Sequence, residues 1–229
     1  MLRLENPGTA SGPAPSALLR ETRAVAVLRA SHASDYAPVI EALQHGGGVL
    51  SIELTLSTPG VWEELPLLRE RFGDSLEIGI GTVTEATEAE TALDLGAAYI
   101  VTPVTDPAIV TACVSRGVPV YPGGLTPTEL HTGWKLGATA VKIFPASTVG
   151  AGYVSQLRGP FPDIQVIPSG GVNLEDVPSW IKAGALAVSL GGPLLGDAFK
   201  GGDLQEPTAR AKRVRELIDQ TAVQIGSGQ

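Results

Sequence analysis

A chain of 229 residues with one cysteine, Cys113, cannot close a disulfide within itself, and such sparing use of thiols fits a reducing compartment, here expected to be the cytoplasm. Basic residues are scarce too. Sixteen Lys and Arg stand against twenty-four Asp and Glu, for a net charge of −8. With a pI near 4.9 and no basic block, nucleic-acid binding is excluded. No apolar run reaches the length of a membrane span, so no membrane partner is expected. Histidine is limited to His32, His45 and His131, which lie on helical or loop patterns without ligand spacing. No metal is expected. Residues Met1–Pro15 are rich in Gly, Pro, Ser and Ala, with no basic segment leading into an apolar one. They read as a mobile tail rather than a secretion signal.

What the chain does have is apolar content, 43% with a mean hydropathy of +0.17, enough for a sizeable core, and a regular alternation of elements. A short helix over Ser16–Thr22 precedes a strand at Val25–Leu28, which ends at Arg29. A helix over Ser34–Gln44, with Ser34 as N-cap, stops at Gly46-Gly47-Gly48. Strand Val49–Leu56 follows, then helix, strand and helix in turn up to a closing helix over Pro207–Val223. Glycine recurs where helices stop and strands begin, as the left-handed position after a helix favours. Eight strands alternating with helices predict a parallel, closed (β/α)8 TIM barrel, a single domain spanning residues 16–225. An open doubly wound sheet is the alternative. It is disfavoured by the strand count and by Gly79-Ile80-Gly81, which is too short to be a dinucleotide fingerprint.

Within that pattern, Ala138–Pro145 (A-T-A-V-K-I-F-P) stands out. It reads as a strand, so Lys142 shares a face with Ala140 and Phe144. The chain holds five lysines, and Lys135, Lys182, Lys200 and Lys212 all fall on helical or loop patterns. Burial disfavours the ammonium form of a lysine, and a neutral amine attacks carbonyls to give a Schiff base. The plainer reading is a lysine that snorkels to water or pairs with a carboxylate.

In a barrel, chemistry collects at the carboxyl ends of the strands. Arg29, Glu53, Thr82, Pro103, Lys142, Ser169-Gly170-Gly171 and Gly191-Gly192 all fall there. Glu53 and Lys142 together supply an acid/base beside a carbonyl-attacking amine. The pairs Gly170-Gly171 and Gly191-Gly192 follow the seventh and eighth strands, where barrels commonly bind phosphate. Ordinary turn glycine is the plainer reading of each.

Several segments, in order, carry a family likeness: I-E-L-T-L-S-T-P (Ile52–Pro59), G-I-G-T-V (Gly79–Val83), Y-P-G-G-L-T-P-T-E (Tyr121–Glu129), V-K-I-F-P-A (Val141–Ala146), G-P-F-P (Gly159–Pro162) and P-S-G-G-V-N (Pro168–Asn173). From about Val25 to Leu195 the chain resembles the 2-keto-3-deoxy-6-phosphogluconate (KDPG) and 4-hydroxy-2-oxoglutarate (KHG) aldolases. The resemblance implies a class I aldolase without metal or other cofactor, on a TIM barrel, as a homotrimer. Its substrate is a small molecule, a 2-keto-3-deoxy sugar acid of the Entner-Doudoroff type, cleaved to pyruvate and an aldehyde. By position, Lys142 would form the Schiff base and Glu53 would carry protons. Thr82 and Ser169 would hold the pyruvate carboxylate, and Phe144 and Pro103 would wall the pocket. Gly170, Gly171, Gly191 and Gly192 would bind phosphate with Arg29.

Two positions depart from the pattern. Ser57 stands where many members have Arg, and Pro193 where many have Ser, so the lysine chemistry is better supported than the 6-phosphate. A phosphate-barrel isomerase or epimerase, with Lys142 outside covalent chemistry, and a non-catalytic sugar-phosphate binder are the alternatives.

Overall fold

The computed structural model describes residues 12–227. Most of the tail expected at residues 1–15 lies outside the described residues. Within them, the Thr139 hydroxyl donates to the Pro13 carbonyl (2.7 Å).

Parallel strands form the interior: β1 (Ala24–Leu28), β2 (Ser51–Thr55), β3 (Glu77–Gly81), β4 (Ile100–Val101), β5 (Val120–Tyr121), β6 (Gly123–Gly124), β7 (Val141–Ile143), β8 (Val166–Pro168) and β9 (Val188–Leu190). Between them run α2 (Tyr36–Gly46), α3 (Val61–Phe72), α4 (Ala86–Asp94), α5 (Pro107–Ser115), α6 (Pro127–Lys135), α7 (Gly152–Arg158) and α8 (Val177–Lys182). The short α1 (Ala17–Thr22) precedes β1, and α9 (Gly192–Leu195) and α10 (Gln205–Ser227) follow β9.

The expected alternation is present, but its strands fall into two ladders. One holds six strands in the order β5-β4-β3-β2-β1-β9, the other three in the order β6-β7-β8. The break lies at Pro122. Tyr121 pairs with Val101 in the larger sheet and Gly123 with Lys142 in the smaller one. Proline between them has no N–H for the ladder; its carbonyl accepts from Lys142 N–H (2.8 Å). At the other seam Leu186 N–H donates to the Val166 carbonyl (2.9 Å), outside either ladder. Placing β9 beside β1 curls the larger sheet, so alternate residues point into an enclosed interior.

Two apolar layers result. The larger lies between strands and helices, with Ile52, Leu54, Val141 and Ile143 facing Ile40, Leu65 and Val154, among others. The smaller lies inside the curl: Val25, Tyr99, Val101, Tyr121, Ala140, Ile167 and Ala187, closed from the amino-terminal end by Leu19 of α1. Ser16 caps α1 by accepting from Leu19 N–H (2.9 Å). Arg23, just past it, donates to the carbonyls of Leu186 and Ala185. That clamp seats Leu19 in the floor.

Helix stops follow the glycines, with Gly96 after α4 at φ 81° and Gly137 after α6 at φ 92°, a conformation costly for residues with a Cβ. Thr126 and Glu129 of T-P-T-E form a reciprocal capping box on α6. Ser34 is not the cap expected of it. A 3-10 turn over Ala33–Asp35 precedes α2, and His32 Nδ1 accepts from Ser34 N–H (3.3 Å). Cys113 is fully buried in the core.

Leu19 has no accessible surface and joins α1 to the interior. Leu19→Ala is expected to lower the unfolding free energy by about 2–5 kcal/mol, read from urea melts; an unchanged midpoint would mean that α1 does not plug the sheet.

Candidate active site

Glu53 lies mid-strand in β2, on the same face as Ser51 and Thr55, and its register partners are Val27 and Gly79. The adjoining strand leaves it room. A Cβ built on Gly81 would stand 1.9 Å from Glu53 Oε1, and one on Gly79 would stand 2.4 Å from the Tyr99 ring. The G-I-G segment is therefore a clearance for two inward side chains, not a nucleotide loop.

Lys142 has the same kind of neighbour, Gly123, as its register partner on β6. Gly123 is itself tightly placed, since a Cβ there would meet the Pro103 backbone at 2.5 Å. Lys142 is 7% exposed and Glu53 1%. The Lys142 ammonium lies 5.2 Å from the centre of the Phe144 ring, within cation–π range.

Burial pushes the Glu53 carboxyl above the usual carboxylate range, with Lys142 and then Arg29 pulling the other way. A carboxyl whose pKa is raised by burial is better able to give a proton as well as take one.

All eleven site residues anticipated from the sequence line one cavity of about 260 Å³: Arg29, Glu53, Thr82, Pro103, Lys142, Phe144, Ser169, Gly170, Gly171, Gly191 and Gly192. Its depth is strand-built and buried. Its mouth is loop-built, with Arg29, Phe144, Gly171 and Gly192 exposed. Thr82 follows β3 at φ 63°, a backbone position rare for a residue other than glycine and characteristic of functional sites.

The loop carrying Arg29 is pinned on both sides. The Leu28 carbonyl accepts from Tyr36 and Thr55 hydroxyls (3.3 and 3.0 Å), and Ala30 N–H donates to Thr58 Oγ1 (3.2 Å). Ser57 joins this network by donating to Thr55 Oγ1 (3.2 Å) and does not line the cavity. At the opposite wall, the β8 loop is tied to the β7 loop through Ala146 N–H to Ser169 O (2.8 Å) and Ser147 N–H to Gly170 O (3.1 Å). Gly170 and Gly171 have φ of 84° and 73°, and Cβ atoms there would press on Phe144 and Ser147. Both glycines are thus required by the turn whether or not they also bind an anion.

Sequence reasoning missed Ser189, Val27 and Val172, which also line the cavity. Ser189 is buried and shares a hydrogen bond with Ser169 (3.4 Å between hydroxyl oxygens). Its signal was available: it is the one hydroxyl in L-A-V-S-L, in register with inward-facing Val25. His131 stacks on the Phe161 ring at 4.1 Å, away from the cavity.

A buried lysine, a buried carboxyl raised in pKa and a ring of hydroxyls and glycines are the parts of carbonyl chemistry. The family model "KDPG and KHG aldolase" matches residues 16–209. The chain belongs to that family. It is a carbon–carbon lyase, a class I aldolase acting through a Schiff base.

Among its relatives, the 2-dehydro-3-deoxy-6-phosphogalactonate aldolase of Escherichia coli (strain K12) is 35% identical over 189 residues, 78% of this chain and 90% of that one. The 2-dehydro-3-deoxy-phosphogluconate aldolase of Haemophilus influenzae is 33% identical over 165 residues, 71% and 76% of the two chains. The crystal structure of KDPG aldolase from Legionella pneumophila, with pyruvate captured at low pH as a covalent carbinolamine intermediate, superposes with a TM-score of 0.79 at 26% identity. That match covers 86% of this chain and 96% of that one.

The raised pKa of Glu53 has a linkage consequence in this aldolase. A folded-state value above the unfolded one means that the native protein holds this proton more tightly. The corresponding stability is fully present below the unfolded value, near 4.5, and is lost as pH rises through the folded value. Glu53→Gln, which does not titrate, is expected to gain on the wild type in urea melts as pH is raised from about 4.5 towards neutrality. A gap that stays constant or reverses would mean that Lys142 and Arg29 outweigh the desolvation.

Proposed function

We propose that this aldolase cleaves a 2-keto-3-deoxy sugar acid, 6-phosphorylated, to pyruvate and glyceraldehyde 3-phosphate. The observation that carries the reading is the shared burial of Lys142 and Glu53 at the closed end of one cavity whose open end is cationic. The Lys142 amine adds to the C2 carbonyl, and Glu53 gives and takes the protons that let the carbinolamine lose water. The protonated imine is the electron sink. Glu53 then removes the proton of the C4 hydroxyl, the C3–C4 bond breaks, and its electron pair passes into the imine to leave an enamine and a free aldehyde. Protonation of the enamine at C3 and addition of water release pyruvate and restore the amine.

Thr82 and Ser169 hold the pyruvate carboxylate in this reading, with Ser189 supporting Ser169 through their shared hydrogen bond. Phe144 and Pro103 wall the pocket. The distal phosphate lies by Arg29 and the backbone of Gly170, Gly171, Gly191 and Gly192. Pro193 at the start of α9 brings neither hydroxyl nor N–H, which moves the weight of anion binding towards Arg29. We read the two ladders, joined at Pro122 and at Leu186, as one closed eight-stranded barrel. The working form is a cytoplasmic homotrimer, and light scattering is expected to give about three times the 23.6 kDa chain mass; a monomer mass would overturn that assembly.

Borohydride reduction with pyruvate tests the chemistry. Peptide mass spectrometry is expected to place the adduct on Lys142, and Lys142→Met to lack it, while Glu53→Gln lowers kcat by about 10²–10⁴-fold. No adduct on folded protein in excess pyruvate would overturn the reading.

A further inference from the structure

The floor beneath Glu53 and Lys142 carries two tyrosine hydroxyls. Tyr99 and Tyr121 stand in it edge-to-face, with 5.6 Å between ring centres, and Tyr99 has no accessible surface. Among the described residues, the Tyr99 hydroxyl is the one buried side-chain polar atom without a hydrogen-bond partner. A donor buried and left unpaired is a cost that native proteins rarely carry without a use. The steps from carbinolamine to pyruvate do not otherwise call on it.

The backbone aims this side chain at the strand that carries Glu53. Ala98 N–H donates to the Ile78 carbonyl (2.8 Å) and Ile80 N–H to the Tyr99 carbonyl (3.0 Å). Tyr99 thus enters β4 locked to β3, and like Val101 two residues on it faces the interior. Its ring crosses Gly79: a Cβ there would stand 2.6 Å from Cζ, the carbon that bears the hydroxyl. Gly79 is the register partner of Glu53, so the tip of the tyrosine reaches the strand position beside that carboxyl. A space of about 10 Å³, with Glu53, Lys142, Val101 and Tyr121 among its walls, lies between the reacting pair and the floor. The carboxyl therefore has room to turn downward.

Two carboxyls lie near enough for their charges to bear on the hydroxyl. Burial first, then Glu77 and Glu53, keep Tyr99 protonated, which makes it a donor throughout the working range. Glu77 is already served. It accepts from the Ser51 hydroxyl, is half-buried and lines a groove at the amino-terminal end of the strands. Glu53 is 1% exposed, and Lys142 and Arg29 act on it as charges. A neutral carboxyl at that depth makes little demand for a further donor, whereas an ionised one does.

We propose that Tyr99 is a positioning residue for Glu53: its hydroxyl, unpaired in the resting protein, donates to the Glu53 carboxylate each time that group gives up its proton. The inference rests on the reading of Glu53 as the proton carrier of the aldolase. The tyrosine proton is shared and not transferred, so no further reactant is involved. Lys142 of β7 and Arg29 at the end of β1 also face Glu53, with Glu77 of β3 and Tyr121 of β5 beside Tyr99. Tyr99→Phe leaves the charge of all four unchanged.

The test titrates the carboxyl directly, by NMR of protein whose glutamates are isotope-labelled at Cδ. The Glu53 signal is the one lost in Glu53→Gln. In Tyr99→Phe its midpoint is expected to move up by about one pH unit, because the charged form has lost a donor. The kcat for cleavage of 2-keto-3-deoxy-6-phosphogluconate is expected to fall about tenfold with KM little changed. The urea midpoint is expected to be no lower than that of wild type, because the hydroxyl removed was unpaired. An unmoved Glu53 midpoint, an unchanged kcat or a protein that no longer folds would each overturn the role of Tyr99 and leave the aldolase reading standing. Wild-type kcat in Glu53→Gln would instead overturn Glu53 as the proton carrier, and this inference with it.

Discussion

The site depends on keeping a carboxyl and an amine out of water beside each other. Withdrawing an ion from water into a protein interior costs several kcal/mol even after relaxation. For Glu53 the balance is visible in direction: desolvation raises its pKa, and Lys142 and Arg29 draw it back only in part. A carboxyl whose pKa is raised by burial holds its proton more tightly than one on the surface, which suits it to give a proton as well as to take one.

Space for the pair is made by what the neighbouring strands leave out. Glu53 sits beside Gly79 and diagonally from Gly81, and Lys142 beside Gly123. Glycine within a strand costs about 0.5–1 kcal/mol relative to alanine, a loss offset lower down, where Tyr99, Tyr121, Ile167 and Leu19 fill the same interior. The curled sheet is thus divided along its length into an apolar floor and a polar upper chamber. Its helices and outer core serve mainly to hold those two layers in register.

Much of this was legible because strands alternate with a period of two. Lys142 against Val141 and Ile143, and Glu53 against Ile52 and Leu54, declare their faces without knowledge of the fold. The anticipated cavity residues followed from placing strand ends, which tolerates errors of a residue or two. What depended on partners distant in sequence was not legible. Pro122 reads as a strand end, but only the pairing of Tyr121 with Val101 and Gly123 with Lys142 shows that it divides one strand between two ladders. Ser34 looked like a cap because no local signal announces that His32 performs that task. Thr139, in a strand-like run, gave no hint that it holds Pro13. Ser189 was hidden by its apolar neighbours.

The cavity's two ends are built from different materials, which separates reaction from recognition. Lys142 and Glu53 project from strands whose backbones are hydrogen-bonded on both sides, so their positions follow from the sheet as a whole. Arg29, Gly191 and Gly192 lie at or beyond strand ends, exposed or half-buried. Side chains there can change with little effect on the core, as loops generally allow. Pro193 falls at that outer end, where it bears on what could hold a ligand's tail rather than on what could attack its carbonyl. The buried carboxyl and amine, whose places follow from the sheet, leave far less freedom to change.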